Sequence, residues 1–246
     1  MVSDPASPDK ARTEFLVTAV AALGSSLNAD ELLAELARCS VPTIADWCAI
    51  DLLEDGHVRR AAVGHPDSAD REIALGWWDR FPVTDPGNRW ILDLAKTRES
   101  SGVVNVTNDV LAANPNEEMA EAIRALHIRQ TIVVPLINRG HFFGALTMIM
   151  ADSDRVFEDA DARLCEELGP QIAGALENAR LYAAEQQARR RESKLHALTA
   201  SLSKATTSGE VAEVTCRLGA EASDAPIGAL WLLEASGSLA LACHWG

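Results

Sequence analysis

Aromatic residues are scarce: one Tyr, five Phe and six Trp among 246 residues, or 5% of the chain. Basic residues are also few, 22 against 36 acidic, for a formal charge of −14. Such a surplus repels polyanions and argues against nucleic acid as a partner. The deficit is uneven. Residues 1–182 carry 16 basic and 29 acidic groups and residues 195–246 carry 2 and 5, whereas residues 183–194 carry 4 and 2. The basic run Arg189-Arg190-Arg191 thus sits between two acidic blocks and reads as part of a linker. No apolar run approaches the ~18–20 residues of a membrane helix. Met1-Val2-Ser3-Asp4-Pro5 lacks the basic start and apolar run of a signal peptide. Cys39, Cys48, Cys165, Cys216 and Cys243 form no CxxC pair and no even framework, so they read as reduced thiols. A cytoplasmic chain without membrane insertion is expected. Phosphate-binding glycine loops, HExxH, GxSxG and the kinase signatures are all missing, which leaves no catalytic residues and no metal ligands to assign.

What is present is an ordinary globular composition, 48% apolar and 24% charged. Residues 1–12 are rich in Ser, Pro and Asp and are expected to be disordered. Helical spacing covers Thr13–Leu27, and Asn28 with Glu31 forms a capping-box pattern for a second helix to Thr43. Trp47–Leu53 and Val58–Val63 flank the turn Glu54-Asp55-Gly56-His57 and read as a hairpin. Residues 66–130 form a long connection with helical pieces at Ser68–Arg80, Asn88–Lys96 and Asn116–Leu126. A second hairpin follows, Thr131–Ile137 and Phe142–Met150 around Asn138-Arg139-Gly140-His141. From Glu158 a helical pattern runs through Gly169-Pro170 to Lys204, where the proline predicts a kink or a start.

An internal repeat recurs after about 180 residues. Asn28-x-x-Glu31 returns as Thr207-x-x-Glu210, Asp46 as Asp224, and Leu52-Leu53-Glu54 as Leu232-Leu233-Glu234. Nothing in the second copy matches Thr131–Met150, so its strands Ile227–Leu233 and Leu239–Cys243 are expected to lack sheet partners.

Four pieces in this order resemble the GAF domain: Leu33-x-x-Leu36-Ala37 with Ala45-Asp46-Trp47-Cys48-Ala49-Ile50; Ile132-Val133-Val134-Pro135-Leu136 with Gly140 and Gly144-Ala145-Leu146-Thr147; Phe157 with Arg163-Leu164; and Gln171-Ile172-Ala173 through Asn178-Ala179 to Leu181-Tyr182. The resemblance covers residues 15–182, and residues 195–246 resemble the opening of a second such domain. It implies an α+β fold with a central antiparallel sheet of about six strands, flanking helices and a long C-terminal signalling helix. The expected organisation is 1–12 disordered, 13–182 GAF domain, 183–204 helical coiled-coil linker and 205–246 a truncated second GAF domain. The implied function is a non-catalytic sensory module. It would bind a small molecule or partner and relay the signal to an output domain, expected to be a histidine kinase of a two-component system. The alternative is a ligand-free dimerisation and spacing module.

The resemblance also implies a pocket beneath the 66–130 connection. Trp77, Trp78 and Trp90 cluster there, and His127 ends a helix beside it, so these four are the pocket candidates. His127 is the candidate axial ligand if the cofactor is haem. A cyclic nucleotide is disfavoured because only Phe157 and the acidic residues after it match that signature. A covalent bilin, or sulfoxide reduction, needs a pocket-loop thiol, and no cysteine lies between Cys48 and Cys165. Cys243-His244 falls on a strand of the partial copy, and His196 reads as a solvated linker histidine. Finally, Leu168, Ile172, Ala175, Ala179 and Tyr182 step by four, three, four and three, a heptad seam that predicts a homodimer through the C-terminal helix. Packing of the same residues on the domain's own sheet is the competing explanation, with Leu164, Leu176 and Leu181 off the seam.

Overall fold

A computed structural model of the chain describes residues 8–204, 207–223 and 225–246, with the side chains of residues 8, 198, 201–204 and 222 left aside. The chain forms two compact units, one reaching Arg180 and the other Leu181–Gly246. The first opens with α1 (Pro8–Leu23), α2 (Ala29–Ser40) and the hairpin β1 (Trp47–Glu54) and β2 (His57–Gly64). The connection carries α3 (Ser68–Leu75), α4 (Trp77–Arg80), α5 (Trp90–Thr97), β3 (Val103–Asn105), α6 (Asn108–Ala112) and α7 (Glu117–Ala125). β4 (Gln130–Asn138) and β5 (His141–Met150) form the second hairpin, and α8 (Asp159–Lys204) leaves the unit at Arg180.

The fold is α+β. Its sheet has five antiparallel strands in the order β2-β1-β5-β4-β3, where the resemblance implies about six. β3 and α6 are unannounced in the sequence because elements of three and five residues are too short to display a period. Ser68–Arg80, expected as one helix, divides at Gly76. Residues 8–12, expected to be disordered, are helical, and Arg12 ties them to Asp161 on α8 at 2.8 Å. The disorder expected of residues 1–7 concerns positions outside the described residues. Asn28 caps α2 through its Oδ1, but Glu31 does not complete the box. Ser26 Oγ already accepts the Asn28 N–H, and Glu31 instead accepts from the Ser26 hydroxyl at 2.7 Å.

Side chains alternate across a strand, so the sheet has two unlike faces. Cys48, Ile50 and Leu52 of β1, Ile132, Val134 and Leu136 of β4, and Leu146 and Met148 of β5 make one of them. It packs against Phe15 of α1, Leu32, Leu33 and Leu36 of α2, and Leu168, Ile172 and Leu176 of α8. Two glycines permit close approaches, one between strands β5 and β1 and one between α8 and β4. A Cβ on Gly144 would stand 1.9 Å from the Asp51 carbonyl oxygen, and one on Gly169 would stand 2.8 Å from Val134 Cγ1. Pro170 neither starts nor ends α8; it is exposed, so the carbonyl it leaves unpaired is on the solvent side of the helix.

The predicted seam residues are therefore divided. Leu168, Ile172 and Ala179 are buried within the chain's own first unit, beside Leu164 and Leu176, and are not surface groups. Ala175 is half-buried, and Tyr182 and Leu181 are exposed.

In the second unit, Thr207 and Glu210 complete a reciprocal capping box on α9 (Ser208–Ala222). The helix packs Ala212, Cys216 and Ala220 against the hairpin β6 (Gly228–Leu233) and β7 (Leu239–Trp245). Trp231, Leu232, Leu233, Leu239, Leu241 and Trp245 of that hairpin remain exposed. Asp224, the repeat counterpart of Asp46, lies outside the described residues.

Asp46 pins the start of β1 to the loop after β5. It accepts from the N–H groups of Ala151 at 2.8 Å and Ser153 at 3.0 Å, and from Arg155 at 3.0 Å. Partial burial pushes its pKa up, but the hydrogen bonds from Ser153, Ala151 and Arg155 outweigh burial and hold it at about 2. A carboxyl depressed below its unfolded value of ~3.9 stabilises the fold above that pH and loses the effect as pH falls through the folded value. Asp46→Asn should cost about 1–2 kcal/mol in denaturant unfolding at pH 7. The gap from wild type should narrow between pH ~4 and ~2 as the wild-type carboxyl protonates. A gap unchanged across that range would exonerate the charge.

Candidate functional site

The second face of the sheet mixes large apolar side chains with small and polar ones, and the connection arches over it. Between them lies a cavity of about 480 Å³. Trp47 and Ala49 of β1, Thr147 and Ile149 of β5, and Thr131 and Val133 of β4 form its floor. Trp77 of α4, Trp90 and Leu94 of α5, Leu111 of α6, and Met119 and Ile123 of α7 form the walls and roof. The lining is mainly apolar with a few convergent polar groups, the composition of a small-molecule site.

Most of those polar groups are already engaged. Asp51, fully buried on β1, takes two bonds from Arg60 of β2 at 2.8 and 3.0 Å and a third from Trp78 Nε1 at 2.6 Å. Arg60 also donates to the Ala74 carbonyl at the end of α3, so this network fastens α3 and α4 to the sheet. Asn88 accepts from Trp77 Nε1 at 3.4 Å and donates to the Phe81 carbonyl. Asn114 donates to the Gly87 carbonyl, and Asp93 at the rim pairs with Lys96 at 3.0 Å. Two buried side-chain polar atoms among the described residues lack any partner: Trp47 Nε1 and Thr147 Oγ1. Both residues belong to the cavity floor.

The four pocket candidates divide evenly. Trp77 and Trp90 line the cavity. Trp78 is buried behind it, its indole N–H committed to Asp51 and its ring 5.8 Å from that of Trp90. His127 lies outside. It follows α7 in a left-handed conformation (φ 51°) that turns the chain toward β4, is largely exposed, and places Nδ1 2.9 Å from Asp152 Oδ1. An exposed imidazole outside the cavity wall does not fit the haem-ligand role considered for it. No cysteine lines the cavity, so a thioether-linked chromophore does not fit there either. Cys48 and Cys165 lie on the opposite face of the sheet, where burial pushes both thiols up to about 12. Among the described residues no cluster of His, Cys, Asp and Glu is arranged to hold a metal ion, and no helix is long and apolar enough to cross a membrane.

The sequence reading did not single out Trp47, Asp51, Arg60 or Thr147. The signal was available in the alternation of β1: Cys48, Ile50 and Leu52 are uniformly apolar, whereas Trp47, Ala49 and Asp51 are not.

A pocket between an antiparallel sheet and a covering connection is what the resemblance implies, and the GAF-domain family model matches residues 12–176. The chain belongs to the GAF-domain family. GAF domains are sensory, ligand-binding modules of signalling proteins. Solved structures share the fold at low identity. The GAF domain of a phosphoenolpyruvate-protein phosphotransferase from Coxiella burnetii is 16% identical, with a TM-score of 0.50 over 70% of this chain and 96% of that one. The phycoerythrobilin-bound GAF domain of a cyanobacterial phytochrome is 15% identical, with a TM-score of 0.50 over 70% and 97%. Free methionine-R-sulfoxide reductase from Neisseria meningitidis, solved with its substrate, is 18% identical, with a TM-score of 0.50 over 74% and 97%. No curated protein sequence matches the chain.

Asp51 controls how firmly the cap is held. Asp51→Ala leaves the Arg60 charge and the Trp78 N–H buried without their acceptor, and should cost about 3–5 kcal/mol in guanidinium unfolding. Replacing the pair together, Asp51→Leu with Arg60→Met, should recover the part of that loss due to the unpaired charge and leave the smaller cost of the Trp78 N–H. Equal losses for the single and double variants would mean that packing, not the unpaired charge, sets the effect.

Proposed function

We propose that this protein is a non-catalytic, cytoplasmic sensory module. A small molecule binds in the cavity over β1, β5 and β4, and α8 carries the change toward an output domain, with a histidine kinase as the expected class. The observation that carries this reading is the apolar cavity with unpartnered polar atoms in its floor, in a GAF domain. Trp77 of α4 lines the cavity and the neighbouring Trp78 is bonded to Asp51 of β1, so a ligand under the cap bears on both the cap and the strands. β4 lies directly under Gly169 of α8, which gives strand movement a short route to the helix.

Native mass spectrometry of the full chain should find a bound small molecule that is lost on gentle unfolding. Ala49→Phe fills the floor and should abolish the bound species with an unchanged circular dichroism spectrum. A wild type that carries no ligand and gains no thermal stability from a broad metabolite set would overturn the reading.

The alternative of a dimerisation and spacing module draws support from Leu181, Tyr182 and Leu195, large side chains exposed along α8. Helix association adds to the sensory reading as well as standing alone, since a paired exit helix is a two-state element that a ligand can bias. We therefore propose a homodimer through α8 that uses these exposed residues, not the buried Leu168 and Ile172. Sedimentation equilibrium at micromolar concentration should show a dimer for wild type and a monomer for Leu181→Glu with Leu195→Glu. A monomeric wild type would reject it.

A further inference from the structure

The charges around the cavity restrict what can fill it. Arg60 lines it, but Asp51 accepts two bonds from its guanidinium and matches its charge inside the protein. Asp93 lies at the rim and is matched by Lys96. No other Lys, Arg, Asp, Glu or His lines the cavity. A phosphate or carboxylate brought here would lose its hydration without gaining an unmatched cation, and an ammonium would gain no unmatched anion on the floor.

The polar atoms in need of a partner are neutral: the indole N–H of Trp47 and the hydroxyl of Thr147, which is more than nine-tenths buried, as is Trp47. Both sit on one face of neighbouring strands. Trp47 pairs with Ile149 and Ala49 with Thr147, so the two are diagonal neighbours across β1 and β5, about 7–8 Å apart at their backbones. Both atoms are closed to water as the protein stands, so the ligand meets them through a rotation about the Thr147 side chain and a swing of the Trp47 ring toward the cavity. Trp77 and Trp90, on the walls, offer flat apolar faces.

We propose that the cavity takes a neutral, planar, largely apolar ligand. Its carbonyl or ring-nitrogen acceptor receives the Trp47 N–H and engages the Thr147 hydroxyl, and its ring lies against Trp77 and Trp90. This inference rests on the sensory reading above and assigns the ligand class. It excludes nucleotides and other free anions as the physiological occupant.

Three bicyclic probes of one shape test it by isothermal titration calorimetry on the full chain: naphthalene, 2-naphthamide and 2-naphthoate. The neutral amide should bind tightest, about tenfold or more above naphthoate and about fivefold above naphthalene, the ratio one neutral hydrogen bond supplies. Thr147→Val keeps the side-chain shape and removes the hydroxyl; Trp47→Phe removes the N–H. Each should lower amide affinity about three- to tenfold while leaving naphthalene affinity within about twofold, which also reports an intact cavity. Naphthoate binding as tightly as the amide would overturn the neutral-ligand assignment and leave the sensory reading standing. Amide and naphthalene affinities falling together in Thr147→Val would overturn the role of the hydroxyl. Wild type that binds none of the probes, while still carrying a ligand by native mass spectrometry, would overturn the ligand class alone; wild type with neither would overturn both.

Discussion

The pleat of β1, β5 and β4 is the constraint on which the rest depends. Each residue on these strands can point only to one side or the other, and the sequence uses the two sides for opposite ends. On one side, Ile50, Leu146, Met148 and Ile132 build a dry core that α1, α2 and the first half of α8 close. On the other, Ala49 and Thr147 are too small to fill the space, and the connection must bridge over what remains. A one-residue slip of β5 against β1 would exchange these sides and would place Met148 in the cavity. Gly144 resists that slip, because only a residue without a side chain fits against the Asp51 carbonyl.

Part of the cap packs on the sheet, Trp78, Ile91 and Leu94 against Ala145 and Ala74 against Val63, and the rest spans the cavity. A buried ion pair supplies part of the attachment. Asp51 and Arg60 face each other across the first hairpin, and Trp78 and the Ala74 carbonyl are bonded to them from above. Buried charge is a costly fastener compared with packed side chains. It offers direction in return: carboxylate, guanidinium and indole fit together in one arrangement, so the cap is seated in register with the strands.

Long periodic elements were legible in the sequence. Both hairpins, α2 and α8 are found close to where their hydrophobic spacing predicts them, because each buries a stripe or a face whose period is visible over eight residues or more. β3 and α6 are too short for that. The site was legible by halves. Clustering of tryptophans identified Trp77 and Trp90, but composition does not say which way a ring points, and Trp78 is turned to Asp51 instead. His127 is adjacent in sequence to a strand that borders the cavity, yet one left-handed residue carries it to the surface. The heptad pattern of α8 was real but ambiguous: a helix lying on its own sheet and a helix in a coiled coil both ask for apolar residues at steps of three and four. Leu168 and Ile172 pack in the core of the first unit, against its sheet.

The placement of the indoles also has an optical consequence. Four of the six Trp residues, Trp47, Trp77, Trp78 and Trp90, sit around or directly behind one cavity, and Tyr182 is the chain's single tyrosine. Near-ultraviolet absorption and emission of the first unit therefore originate almost entirely from indoles in and behind the walls of its cavity. The protein carries a built-in chromophore set whose emission wavelength follows the polarity of whatever stands between the sheet and the cap.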